Sequence, residues 1–196
     1  GRAPLEALRR FGALLAAVHT ASARCAHELE PRFANLEMRR LNVAQMFAAP
    51  YTEPVPSLPA ELIVERDRVC ADRKLRERVE SLAAHYAGDR DALVHGDAKA
   101  ANVLVQGQRP RLIDAEFCHI GDPAFDLGVA LGHLILCTAA PSVRATLDPA
   151  WAALLEGYRS GNSANDRMAR AVRYAGAVVL AHVIGPSRLA FAQTVD

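Results

Sequence analysis

Residues 93–117, LVHGDAKAANVLVQGQRPRLIDAEF, decide the fold of this chain. Two short apolar runs within this stretch, VLV and RLI, flank residues 106–110, which include Gly107 and Pro110. Apolar runs joined by a brief link with glycine are typical of a β-hairpin, and a proline in the link cannot donate to the ladder. The pattern predicts two antiparallel strands connected at 106–110.

Oxygen-bearing side chains stand at the end of this hairpin that is farthest from its turn. Asn102 directly precedes the first strand and Asp114 directly follows the second, and antiparallel pairing brings these positions together. Glu116 points to the same side if the chain stays extended beyond Asp114. Mg²⁺ prefers oxygen ligands and often shares its coordination shell with phosphates. The sequence therefore predicts a magnesium site formed by Asn102, Asp114 and Glu116.

A further carboxylate lies just upstream of the predicted metal site. Asp97 follows a His-Gly turn and precedes Asn102 by five residues, so it can face the ion without binding it. A carboxylate in that position can orient a hydroxyl group and accept its proton. We therefore predict that Asp97 is a catalytic residue.

The composition is that of an ordinary globular protein. Of the 196 residues, 51% are hydrophobic and 23% are charged, and 23 basic residues nearly balance 22 acidic ones. This balance gives no indication of nucleic acid or a membrane surface as a partner. The four cysteines are scattered without a CxxC pair, and the longest apolar stretch, 129–140, is too short to cross a bilayer. We expect a cytoplasmic protein, and the sequence leaves its oligomeric state open.

Helical periodicity dominates the remainder of the chain. Apolar residues recur at spacings of three and four on both sides of the hairpin, and four prolines between positions 50 and 59 interrupt the pattern. The predicted fold class is α+β and mostly helical, with one small β-hairpin that carries the metal site. The main helices are expected at 5–22, 61–86, 123–138, 151–158 and 165–183.

Three motifs resemble a known family of kinases. HGDAKAAN, IDAEF and GDPAFDLG are similar to the C-terminal lobe of the aminoglycoside phosphotransferase and choline kinase-like small-molecule kinases, which share the protein-kinase fold. The Asp-x-Glu-Phe form is most similar to methylthioribose kinase-like members. The resemblance implies transfer of the γ-phosphoryl group of ATP to a hydroxyl of a small molecule, with Mg²⁺ and ATP as cofactors.

The resemblance also implies a role for individual residues. Asp97 would be the catalytic base or hydroxyl-orienting group, and Lys99 would contact the transferred phosphoryl group. Asn102 and Asp114 would hold Mg²⁺, with Glu116 assisting.

Two further roles follow from the family. Asp126 would anchor the loop that carries the catalytic base, and Leu104 and Ile113 would lie beneath the adenine. Because both apolar side chains must then share one face of the hairpin, we expect Leu104 to pair with Ile113, which leaves Asn102 diagonal to Asp114.

Kinases of this fold also have an N-terminal lobe with a glycine-rich loop and a strand lysine. Residues 1–196 contain no GxGxxG, and the only lysines are Lys74 and Lys99. We therefore expect a single kinase-like C-terminal lobe over 1–196, without the N-terminal lobe and inactive as an isolated fragment. The alternative is a non-catalytic binding or regulatory module. A metal-dependent phosphohydrolase fits less well because it usually requires more ligands.

Overall fold

The computed structural model describes residues 2–55, 58–107, 109–159 and 165–186. A π-helical segment, Val43–Ala48, joins the third and fourth helices. The predicted class is confirmed in that the described chain is mostly helical with small antiparallel sheets; a metal site on the hairpin stays a prediction. The helices are α1 (Arg2–Ala23), α2 (Ala26–Leu29), α3 (Leu36–Asn42), α4 (Ala49–Thr52), α5 (Ala60–Ala71), α6 (Arg73–Gly88), α7 (Pro123–Cys137), α8 (Leu147–Arg159) and α9 (Asn165–Ile184). The strands are β1 (Ala92–Val94), β2 (Val103–Gln106), β3 (Arg109–Leu112) and β4 (His119–Gly121).

Helix α7 is the central element of the core. Its start is fixed by Asp122, whose side chain accepts a hydrogen bond from the Ala124 amide at 2.9 Å, and by a proline in the first turn. Twelve of its fifteen residues are buried, so it is a helix covered on nearly all sides. It lies against α9 at two glycines, since a Cβ on Gly128 or Gly132 would collide with α9 side chains.

The amphipathic helix predicted near the start of the chain is confirmed as α1. Its apolar residues Phe11 and Leu15 enter the core. Helices α1 and α8 cross closely, because a Cβ on Gly12 would meet the backbone of α8 and a Cβ on Gly157 would meet the backbone of α1.

The four strands form two separate antiparallel pairs. The predicted hairpin is confirmed as β2 and β3, but these strands extend to Gln106 and Arg109, so the link is shorter than the predicted five residues. The other pair joins β1 to β4, and β4 was not predicted. A three-residue strand without alternating polarity carries little sequence signal, and its pairing with β1 depends on contacts distant in sequence.

The predicted register of the hairpin is wrong. Leu104 pairs with Arg111 instead of Ile113, and the amide of Ile113 donates to the Asn102 carbonyl at 3.0 Å. The strands are therefore displaced by two positions relative to the predicted pairing. Since side chains alternate along a strand, an even displacement keeps Leu104 and Ile113 on the same face.

The predicted single helix over 61–86 is two helices. Asp72 separates α5 from α6 and caps α6, with its carboxylate accepting a hydrogen bond from the Leu75 amide at 3.0 Å. Aspartate competes for backbone hydrogen bonds and favours such caps over helix interiors.

In the part of the chain that the structure describes, no helix has the length and apolarity that a membrane span requires.

Candidate active site

The loop after β1 is held in place by one buried carboxylate. This loop, residues 95–102, is called the HGD loop below. Both oxygens of Asp126 accept backbone hydrogen bonds from it, since His95 N lies 2.7 Å from Oδ2 and Gly96 N lies 2.8 Å from Oδ1. Asp126 sits in the first turn of α7 and is 1% exposed, so its position is fixed by the core. The anchoring role predicted for Asp126 agrees with these contacts.

Asp126 also belongs to a chain of hydrogen bonds that crosses the core. His19 Nε2 on α1 lies 3.1 Å from Asp126 Oδ2, and His19 Nδ1 lies 3.0 Å from the Tyr158 hydroxyl on α8. A carboxylate can only accept, so Nε2 carries the hydrogen and Nδ1 accepts from the tyrosine when the ring is neutral. Burial alone raises the pKa of Asp126, but the hydrogen bonds from His19, His95 and Gly96 together hold that pKa below its usual value.

Gly96 gives the HGD loop its shape. Its φ of +80° lies in the left-handed region, and a Cβ there would lie 2.5 Å from the carbonyl oxygen of Phe117. Only glycine meets both conditions without strain. The loop can therefore approach the segment after the hairpin closely enough for the two to share one site.

We expect Gly96→Ala to be much more destabilising than Gly107→Ala. Both glycines have positive φ, but a Cβ on Gly107 meets nothing within 4 Å. The backbone penalty alone is about 1–2 kcal/mol, and the added collision at Gly96 brings the loss of unfolding free energy to about 2–5 kcal/mol. Urea denaturation of the two variants measures the difference, and equal losses would contradict the close packing of Gly96 on Phe117.

The predicted catalytic residues Asp97 and Lys99 lie together. Lys99 Nζ is 2.6 Å from Asp97 Oδ2, and the Asn102 side-chain amide donates to the same oxygen at 2.9 Å and to the Asp97 carbonyl at 3.0 Å. The Asp97 side chain is 17% exposed, so it is positioned by these donors while still open to solvent. A carboxylate held in this way can accept a hydrogen bond from a substrate hydroxyl.

The end of the hairpin is attached to the HGD loop, and the convergence of Asn102 and Asp114 on one cation stays a prediction. Ile113 donates to the Asn102 carbonyl, and its own carbonyl lies 2.9 Å from His95 Nε2. Asp114 directly follows Ile113, the residue that lies opposite Asn102. Asp114 has a φ of +64°, a conformation that aspartate tolerates better than most residues. Such strain is concentrated at functional sites.

Glu116 does not lie where an extended chain would place it. The left-handed Asp114 is followed by a 3₁₀ turn, Ala115–Phe117, so the chain bends directly after the hairpin. The carboxylate oxygens of Asp97, Asp114 and Glu116 do not all lie within 4.8 Å of one another. The bend depends on a backbone conformation that the sequence pattern does not reveal.

An acidic cluster elsewhere was missed by sequence reasoning. Asp89, Asp91 and Asp122 have carboxylate oxygens within 4.8 Å of one another. Asp122 is fully buried, caps α7 and forms an ion pair of 2.7 Å with Arg170. These contacts give the cluster a structural role at the start of α7.

The two residues predicted to lie beneath adenine are both exposed. Leu104 is 55% exposed and Ile113 is 41% exposed, on the hairpin face opposite to Val103 and Leu112, which pack against the core. Both side chains lie on one exposed face of the hairpin, and their contact with adenine stays a prediction.

Comparison with known proteins identifies the family. Residues 2–170 match the family described as phosphotransferase enzyme family, and because the match covers most of the chain, the protein belongs to that family. The predicted resemblance is confirmed. The chain is 33% identical over 105 residues to methylthioribose kinase of Citrobacter koseri and 34% identical over 110 residues to that of Yersinia pestis. The aligned regions cover 53% and 54% of this chain but only 26% of each relative, so the chain matches about a quarter of their length.

Proposed function

We propose that this chain is the part of an ATP- and Mg²⁺-dependent phosphotransferase that carries the catalytic base, and that the enzyme transfers the γ-phosphoryl group to a hydroxyl of a small molecule. The observation that carries this proposal is the position of Asp97, which is fixed by Lys99 and Asn102 at the end of the hairpin that also bears Asp114. Phosphoryl transfer depends mainly on positioning and on charge stabilisation, and this group supplies both.

Each residue has a distinct role in this proposal. Asp97 orients the acceptor hydroxyl and takes its proton, while Lys99 stabilises negative charge on the transferred group. Asn102 and Asp114 supply oxygen ligands for Mg²⁺, and Glu116, which the bend after Asp114 redirects, only assists. The exposed Leu104 and Ile113 provide an apolar surface for the adenine.

The donor set fits magnesium. The amide nitrogen of Asn102 donates to Asp97, which leaves the amide oxygen as a ligand. In the described part of the chain, the carboxylates of Asp114 and Glu116 have no hydrogen bond or ion pair that would compete with a cation. Bound Mg²⁺ would neutralise the phosphates of ATP, and with so few protein ligands it would keep waters or phosphate oxygens in its shell.

The remaining parts of the enzyme are also proposed. An N-terminal lobe with a phosphate-covering loop and a lysine would complete the nucleotide site, and the isolated C-terminal lobe would be a poor kinase because it lacks these groups. Methylthioribose is the first acceptor to test, given the names of the relatives.

The four free cysteines agree with a reducing compartment, and we propose a cytoplasmic location.

We expect Asp114→Asn to weaken binding of Mg²⁺-ATP by about tenfold or more. Asparagine also tolerates positive φ, so the variant removes the charge while keeping the backbone conformation. Isothermal titration calorimetry with and without EDTA measures the metal-dependent part of the affinity.

The matched control for this experiment is Asp67→Asn, which removes an exposed carboxylate on α5. It should bind Mg²⁺-ATP like the unsubstituted chain. If Asp114→Asn also retains full metal-dependent affinity, Asp114 is not a ligand, and a non-catalytic module becomes the better description.

A further inference from the structure

Helices α6 and α9 enclose a groove that contains none of the candidate active-site residues. Its volume is about 810 Å³, and it is lined by residues within 74–85 of α6 and 173–180 of α9. Asp89, directly after α6, has a carboxylate oxygen within 4.8 Å of one on Asp122, and Asp122 pairs with Arg170 near the start of α9. The two helices therefore run in opposite directions along this groove, which is called the α6–α9 groove below.

The floor of the α6–α9 groove is apolar. Val79, Leu82 and Ala177 contribute to it, and each of them is at most 6% exposed. Gly176 leaves additional room, because a Cβ at this position would meet nothing within 4 Å. A protein face that inserts into a membrane presents projecting apolar side chains, whereas these lie at the bottom of a concave surface. The shape therefore suits a ligand that enters the groove.

The rims of the α6–α9 groove are positively charged. Lys74 and Arg78 on α6 and Arg173 on α9 are exposed, and in the part of the chain that the structure describes none of the three has a hydrogen bond or an ion pair. Glu77, the acid among the described lining residues, lies 3.6 Å from Arg73 outside the groove. The charge of the rims is therefore available to acidic groups of a ligand.

We propose that the α6–α9 groove is a docking site for an acidic amphipathic helix of a partner protein. Such a helix lays its apolar face into a groove and places charged side chains against the rims. Lys74 and His85 are eleven positions apart on α6, so the groove is about 16 Å long and accommodates about three helical turns. This inference is independent of the proposed phosphotransferase activity.

Charge argues against two other occupants. In a symmetric dimer one surface patch faces itself, so the unpaired cations of two copies would repel each other. A nucleic acid would match the cations, but its phosphates would leave the apolar floor without a contact. A helix with an apolar stripe flanked by carboxylates matches both the floor and the rims.

The proposal is tested with a fluorescein-labelled synthetic helix of about four turns, with leucines along one face and glutamates on both flanks. We expect fluorescence anisotropy to show that it binds the 196-residue chain. Charge reversal by Arg78→Glu with Arg173→Glu should weaken binding by about tenfold or more. Gly176→Leu should do the same without a change in net charge, because the new side chain fills the open space on the floor.

The control variant is Arg24→Glu with Arg32→Glu, which makes the same charge change at exposed positions outside the groove and should bind the peptide normally. Affinity for Mg²⁺-ATP should be unchanged in every variant, whereas Asp114→Asn should lower it and leave peptide binding intact. A failure of the proposed function would therefore be seen separately.

Several outcomes would overturn the inference. One is equal binding of a peptide with the same composition but leucines on all sides, and another is equal binding by the Gly176→Leu variant. Tighter binding of an oligodeoxythymidine would assign the cations to a polyanion, and a dimer that Gly176→Leu abolishes would assign the groove to a second copy. Should the charge-reversed variant fail to fold, Gly176→Leu still decides.

Discussion

Asp97→Asn is expected to lower the turnover of the complete enzyme by about a hundredfold or more. Asparagine keeps the size of the side chain and can still accept from Lys99, but it cannot take a proton from the acceptor hydroxyl. A base acts mainly in the transition state, so the affinity for Mg²⁺-ATP should change little. The expected result is therefore a fall in kcat without a matching change in nucleotide binding.

A chimera makes this measurement possible. The chain would be joined to the N-terminal lobe of the Citrobacter koseri methylthioribose kinase, and ADP formation would be followed with methylthioribose as acceptor. Asp148→Asn, which alters an exposed carboxylate near the start of α8, is the matched control. Turnover of the Asp97→Asn chimera close to that of this control would remove Asp97 from the mechanism.

Asp126→Ala is expected to have the largest effect on stability, with a loss of about 3–5 kcal/mol in the free energy of unfolding. The substitution leaves the backbone amides of His95 and Gly96 and the ring of His19 without their buried partner. The HGD loop should then lose its fixed position even where the chain still folds.

Two measurements separate the global effect of Asp126→Ala from the local one. Urea denaturation gives the loss of stability, and amide hydrogen exchange at Gly96 reports the opening of the HGD loop. Tyr158→Phe is the milder comparison, because it removes only the hydroxyl at the far end of the chain and should cost about 1 kcal/mol. A loss for Asp126→Ala no greater than for Tyr158→Phe would contradict the anchoring role.

Local sequence patterns predicted those elements that are specified by residues close together in the sequence. The apolar periodicity of α1 and the paired runs around Gly107 each led to an element that the structure contains. Antiparallel pairing also placed the end of the second strand beside the start of the first, where the amide of Ile113 donates to the Asn102 carbonyl.

Features that depend on contacts between distant segments were not predictable in the same way. The register of β2 and β3 is set by the bonds that Ile113 makes with Asn102 and His95, and the sequence of the hairpin alone allows several alternatives. The left-handed conformation of Asp114 redirects Glu116, and no local pattern marks it.

The hydrogen bonds from Tyr158 through His19 to Asp126 link the HGD loop to the crossing of α1 and α8. Helices α1 and α8 approach closely at Gly12 and Gly157, and the same two helices supply His19 and Tyr158. A change in their crossing angle would therefore alter the alignment of Asp97 as well as the packing. In directed evolution, rate-altering substitutions should accordingly arise in this crossing, and changes in one helix should require compensation in the other.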